Sequence, residues 1–214
     1  MKITIWSDFV CPFCYIGQAN LDNALSKFEH KDDVNIEYKS FLLMPDAEYV
    51  PGEAYAETFS KMKGMPVERA QGMLSQVTET AKDAGVEINY DNAKLTSTLA
   101  AHRVFQYAKT KGKDVDFFKT FYQAHFKDGE VLNDFDTIIR LSESVGLDAE
   151  EVKKILESKD YDQDVNVDIS QASQLGVQGV PFFLINDKYS ISGAQPVELF
   201  EEALGKIYAE EQAE

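Results

Sequence analysis

Hydrophobic and polar positions change their period five times along the chain. Over residues 2–6 apolar side chains alternate with polar ones, with Ile3 and Ile5 on one face, which predicts a short strand. Ile16, Leu21, Leu25 and Phe28 then recur at helical spacing, and residues 34–41 read as a second strand. The turn-forming runs Met44-Pro45-Asp46 and Val50-Pro51-Gly52 close this first unit. From there the pattern is helical, with helices expected over 53–63, 66–84, 95–111, 115–127, 134–145 and 149–157. Pro66 suits a first helical turn, and Gly64, Gly85, Gly112, Gly129 and Gly146 fall near the expected helix ends. A further helix over 162–175 precedes Gly176. Two short apolar runs, 182–185 and 189–191, flank Asn186-Asp187-Lys188 and predict a hairpin with a type I′ or related turn. Pro196 opens a closing helix whose acidic tail, residues 210–214, is expected to fray.

The order is therefore strand, helix, strand, a block of helices, then helix, hairpin and helix. This predicts an α/β protein with a thioredoxin-like fold carrying a large all-helical insertion. Residues 1–52 and 159–214 would form the thioredoxin-like domain, and residues 53–158 the helical insertion domain. Neither a repeat nor a low-complexity linker interrupts the chain.

Composition narrows the partners. With 214 residues, 44% of them hydrophobic, the chain can bury a substantial core. The 37 acidic and 21 basic side chains give a formal net charge of −16. Such a surface repels nucleic-acid phosphates and anionic membranes, so neither is an expected partner. No apolar stretch approaches the roughly 20 residues of a membrane-spanning helix, and residues 1–9 run directly into the strand pattern without a secretory apolar segment. A cytoplasmic location is the resulting expectation.

Only two cysteines occur, Cys11 and Cys14. A structural disulfide closing so short a loop would remove little chain entropy, and a reducing compartment would not preserve it. Reactive chemistry is the better use. A free thiol titrates near 8.5 and is mostly protonated at neutral pH. If a helix begins at the motif, its unpaired N–H groups and dipole favour a thiolate at Cys11. Cys14 follows one turn later, close enough to resolve a mixed disulfide formed at Cys11. Pro12 fits the first helical turn, where its missing N–H leaves no bond unmade. Zinc would need two further ligands, and His30, His102 and His125 are scattered, so no metal is expected. A second segment, Gly176-Val177-Gln178-Gly179-Val180-Pro181-Phe182-Phe183, places a proline at a strand entry.

Three segments carry a family resemblance. Ser7-Asp8-Phe9-Val10-Cys11-Pro12-Phe13-Cys14-Tyr15-Ile16-Gly17 resembles the DsbA family, in particular its cytosolic FrnE-like branch. Residues 176–186, followed by Ser192-Gly193-Ala194-Gln195-Pro196, resemble that branch's cis-proline and closing hairpin. Ser97-Thr98-Leu99-Ala100-Ala101-His102-Arg103 resembles a third signature, which usually begins with asparagine where this chain has Ser97. The resemblance implies Cys11 as attacking thiolate, Cys14 as resolving thiol, and Val180-Pro181 as a cis peptide that docks substrate. It implies exchange with protein or low-molecular-weight thiols, no cofactor beyond a redox-active Cys11–Cys14 disulfide, and glutathione as a candidate co-substrate. Periplasmic members carry histidine where Phe13 stands; Phe13 offers no donor to the thiolate, so a less oxidising couple is expected.

Other residues leave alternatives open. His102 is expected either to tune the dithiol or to bind a ligand carboxylate together with Arg103; a satisfied core histidine is the plainer reading. Trp6, Asp8 and Tyr15 read as packing or capping residues, with Asp8 solvating the loop before the helix. Phe13 and Phe182 offer an apolar docking surface or pack in the core, and Met62, Met65 and Met73 offer an adaptable binding surface, with core filling the plainer reading. A glutathione-dependent transferase or isomerase of the kappa or 2-hydroxychromene-2-carboxylate type is a second function, although that branch generally has serine at the first cysteine. A redox-switched chaperone or binding module is a third. Monomer and homodimer are both compatible with the sequence.

Overall fold

A computed structural model describes residues 1–213. Four strands, β1 (Lys2–Ser7), β2 (Asn35–Ser40), β3 (Phe182–Ile185) and β4 (Tyr189–Ser192), form one sheet in the order β2-β1-β3-β4. β2 runs parallel to β1, with Ile5 opposite Tyr38, whereas β3 is antiparallel to β1, with Ile5 opposite Phe183. The parallel pair is joined across α1 (Pro12–Lys27), and β3 and β4 form a hairpin. Asn186 and Asp187 both have positive φ, 53° and 54°, which is the type I′ geometry expected for that turn. β1 is buried at five successive positions, so both faces of the central strand are covered.

Between β2 and α8 (Asp162–Gln174) lie α2 (Tyr55–Lys63), α3 (Val67–Asp83), α4 (Leu99–Thr110), α5 (Asp114–Phe126), α6 (Phe135–Ser144) and α7 (Ala149–Glu157). The closing helix α9 (Val197–Ala213) packs on α1. Three boundaries differ from expectation. Residues 95–98 are irregular rather than helical, because Ser97 N–H donates to the Ala47 carbonyl at 2.8 Å and Thr98 turns its hydroxyl onto Asp8. α9 continues through Ala213, where fraying was expected; Glu210 accepts a hydrogen bond from the Tyr189 hydroxyl. Glu214 lies outside the described residues. Pro66 stands immediately before α3 rather than inside its first turn.

The core is aromatic and continuous, joining sheet residues Ile3, Ile5 and Tyr38 to Phe105, Phe117, Phe118 and Phe121 of α4 and α5. Phe9 sits in its middle, its ring centroid 4.3 Å from that of Phe118 and 5.5 Å from that of Phe121. The close approach of α1 to the β3 entry depends on Gly17: a Cβ there would lie 3.0 Å from the Pro181 ring and 3.3 Å from Phe183. Polar anchors fix the other elements. The buried Asp168 of α8 accepts from Ser40 N–H at 3.0 Å and from the Gln106 amide at 2.6 Å, and pairs with Lys39 at 3.1 Å. Trp6 donates its indole N–H to the Asp168 carbonyl at 2.9 Å. α8 is thereby tied to β1, β2 and α4 at one residue.

His125 lacks such partners. It is fully buried and neither ring nitrogen has a partner among the described residues. Burial pushes its pKa down to about 4 against the attraction of Asp8, so it is neutral in the folded protein near pH 7. The folded pKa lies below the unfolded one, so the native state gives up stability as pH falls from 6.5 towards 4. The loss attributable to this side chain is roughly 3 kcal/mol. Denaturant titrations of the protein and of His125→Leu between pH 7 and pH 4 should show a shallower fall in the variant. Parallel curves would contradict the assignment.

Candidate active site

β1 ends at Ser7, and the chain turns through Asp8, Phe9 and Val10 before α1 starts at Pro12. Cys11 is thus the N-cap residue of α1, with extended backbone at φ −90° and ψ 109°. Its N–H donates to the Asp8 carbonyl at 3.1 Å, and its carbonyl accepts from Cys14 N–H at 3.1 Å. Pro12 occupies the first helical turn, as its missing N–H allows. The Val180–Pro181 peptide is cis, and the Val180 carbonyl lies 3.5 Å from Cys11 Sγ, which donates to it. The two segments far apart in sequence therefore meet at this sulfur.

Both cysteines are free and buried, but their surroundings differ. Cys11 lines a cavity of about 520 Å³ together with Pro12, Phe13, Gly179 and Val180. Across it stand Tyr55 and Phe59 of α2, Met73, Leu74 and Val77 of α3, and Leu43, Met44 and Tyr90 from loops. Cys14 faces the interior. Burial pushes its thiol well above the ordinary cysteine range, and the hydrogen bond to Cys11 and the charge there push it further. Hydrogen bonds from Ser7 and from the Asp8 backbone pull it back in part. The Ser7 hydroxyl also bonds to the Tyr122 hydroxyl, and Tyr122 stacks on Tyr15. A helix-terminal sulfur open to a cavity, beside a sulfur that keeps its proton, is an arrangement suited to one attacking and one waiting thiol.

Asp8 holds this turn in place. Its side chain is fully buried, not solvated, and accepts from Leu43 N–H at 2.7 Å and from the Thr98 hydroxyl at 2.7 Å. His102 Nε2 lies 3.3 Å from the same Oδ1. The structure places His102 in the core rather than on the cavity wall: it has no exposed surface, meets the dithiol turn at Asp8 and at the Phe9 ring, and keeps Nδ1 without a hydrogen-bond partner among the described residues. Arg103 points elsewhere. Its guanidinium donates to the carbonyls of Ile155, Ser158 and Asp160 and pairs with Asp162 at 3.1 Å, fixing the α7–α8 connection.

Four of the expected substrate-facing residues separate in two ways. Pro12, Phe13 and Val180 line the cavity, Phe13 being 45% exposed. Pro181 is buried against Gly17 and leaves the wall to Val180 and Gly179. Phe182 packs on Trp6 rather than facing the dithiol. Met73 belongs to the cavity wall, not to the core, and Met62 is exposed at 45%. Tyr55, Phe59 and Tyr90 were not singled out in the sequence; aromatic residues in a helical block carry no mark distinguishing a wall from a core. No group of three or more metal-ligating side chains occurs among the described residues, and no helix there is long and apolar enough to cross a membrane.

Comparison with known proteins agrees with this geometry. A protein of Bacillus subtilis named as uncharacterized, YwbO, is 29% identical over 213 residues, covering 95% of this chain and 96% of its own. The crystal structure of a probable DsbA oxidoreductase from Streptomyces coelicolor superimposes with a TM-score of 0.90 at 34% identity, covering 98% of this chain and 91% of that one. Cytosolic disulfide reductase DsbM from Pseudomonas aeruginosa, solved with GSH, shares the fold at a TM-score of 0.68 and 15% identity, covering 98% and 100%. The model of the DSBA-like thioredoxin domain family matches residues 2–205. With that match across nearly its whole length, on an α/β thioredoxin fold carrying helices between β2 and β3, the chain belongs to the DsbA family.

Proposed function

We propose that the protein is a thiol-disulfide oxidoreductase of the FrnE-like branch, working in the cytoplasm through Cys11 and Cys14. One observation carries the reading: of two adjacent sulfurs, Cys11 faces a cavity while Cys14 is buried with its proton firmly held. The Cys11 thiolate attacks a substrate disulfide, forming one new S–S bond and releasing one thiolate. Cys14 then loses its proton and attacks Cys11, which closes the Cys11–Cys14 disulfide and releases the second thiol. The substrate is thereby reduced by two electrons and the dithiol oxidised; the reverse sequence oxidises a substrate dithiol. Val180 presents backbone beside Cys11 for a bound partner, Phe13 an apolar surface. Protein thiols and small thiols such as glutathione are both candidate partners. Residues 53–158 act as an insertion that supplies the far wall of the cavity. The cysteine at position 11 separates this reading from serine-bearing isomerases of similar fold, and retention of binding in Cys11→Ser would mark a chaperone role instead.

Cys14→Ser should accumulate mixed disulfides at Cys11, detectable by mass spectrometry, while Cys11→Ser should lose exchange altogether. Exchange surviving in Cys11→Ser would overturn the proposal. Because the Cys14 thiol is pushed up, release of the second thiol should quicken as pH rises, by about tenfold per unit while Cys14 stays mostly protonated. Single-turnover kinetics between pH 6 and pH 8 would show it; a flat profile would contradict the held proton. The absence of a donor at Phe13 predicts that Phe13→His moves the couple towards the oxidising side. Equilibration against glutathione mixtures measures this, and an unchanged or more reducing couple counts against it.

A further inference from the structure

The cavity beside Cys11 encloses about 520 Å³, a volume in the range of small-molecule sites. Its walls are mainly apolar, formed by Leu43, Phe59 and Val77 with the unbranched Met44 and Met73, whose side chains can adapt to a bound body. The polar side chains are few: Lys63, Gln76, Thr80, Tyr55 and Tyr90. Lys63 is the sole charged side chain among the described residues that line it. Its ammonium stands 6.0 Å from the Phe59 ring centroid and has no ion-pair partner among the described residues. In a chain of net charge −16, that is a local reversal of sign at the mouth of the cavity.

Gln76 and Thr80 line its exposed side, and two phenols lie deeper. The rings of Tyr55 and Tyr90 lie 4.8 Å apart, and the Tyr90 hydroxyl is buried without a hydrogen-bond partner among the described residues. An orphaned buried donor is costly unless a ligand meets it. Burial, with the nearby charge of Cys11 adding to it, pushes both phenols up, so they stay protonated and available as donors. The lining holds no carboxylate to receive an ammonium. Glutathione, with its charged amino group and two carboxylates on a polar peptide, matches these walls poorly.

We propose that this cavity is the binding subsite for a low-molecular-weight disulfide with an apolar, preferably aromatic, body and a carboxylate group. Lys63 meets the anion at the mouth, the methionine and phenylalanine side chains enclose the body, and Tyr90 donates to an acceptor on it. The inference rests on exchange at Cys11, and it names the substrate class for that exchange. In the first step Cys11 displaces one aryl or alkyl thiolate and keeps the other half as a mixed disulfide; Cys14 then gives up its proton to solvent and attacks Cys11, expelling that half as a second thiolate.

Stopped-flow oxidation of the reduced protein tests the subsite, using 5,5′-dithiobis(2-nitrobenzoate), the neutral 4,4′-dithiodipyridine and oxidised glutathione. Each rate is divided by that of the same disulfide with N-acetylcysteine, which removes intrinsic reactivity. The normalised rate should be highest for the anionic aryl disulfide. Lys63→Met should lower kcat/KM for it about fivefold and leave the neutral one within about twofold. Tyr90→Phe should raise its KM with little change in kcat. Unchanged kinetics in either variant, or a normalised preference for oxidised glutathione, overturns the assignment. Cys11→Ser keeps the two claims apart. Reaction persisting in that variant defeats exchange at Cys11 itself, whereas Cys11-dependent reaction insensitive to Lys63 and Tyr90 defeats only the subsite.

Discussion

The buried side chain of Asp8 is the constraint on which the rest of the site depends. It accepts hydrogen bonds from Leu43 N–H and the Thr98 hydroxyl, stands 3.3 Å from His102, and lends its carbonyl to Cys11 N–H. Those partners come from the loop after β2, the start of α4 and the start of α1, so three separate connections are drawn to one residue. A polar group removed from water is tolerated only when its hydrogen bonds are met, and here they are met by elements that must therefore keep their positions. The turn so held leaves Cys11 at the helix start, open to the cavity, and turns Cys14 inward.

Packing reinforces this. Phe9 follows Asp8 and inserts among Phe118, Phe121 and His102, anchoring the turn in the aromatic core from the other side. Gly17 lets α1 come against Pro181, which brings the Val180 carbonyl to the Cys11 sulfur. The difference between two thiols separated by only two residues thus arises from one polar anchor, one aromatic anchor and one missing Cβ. The cavity itself needs α2 and α3, since Tyr55, Phe59 and Met73 form its far wall.

Much of this was legible in the sequence because it is local. Alternation marked the strands, the type I′ turn followed from Asn186-Asp187, and the glycines fell at helix ends where Gly64 takes φ 61° and Gly129 φ 73°. The dithiol and its distant proline carried their own signature. What escaped is tertiary. Asp8 reads as a loop residue, since nothing nearby announces that Leu43 and Thr98 will close over it. His102 and Arg103 are neighbours in sequence but diverge, one to Asp8 and the other to the carbonyls ending α7. Tyr55 and Tyr90 look like core aromatics until two helices leave a space between themselves and Cys11.

The central claim is that the two thiols are unequal: Cys11 reachable and reactive, Cys14 enclosed and protonated. Differential alkylation of the reduced protein with iodoacetamide at pH 7, followed by peptide mass spectrometry, tests it directly. The account predicts that Cys11 is modified rapidly while Cys14 stays unmodified until the protein is unfolded. Modification of Cys14 at a rate comparable to that of Cys11 in the folded protein would contradict it.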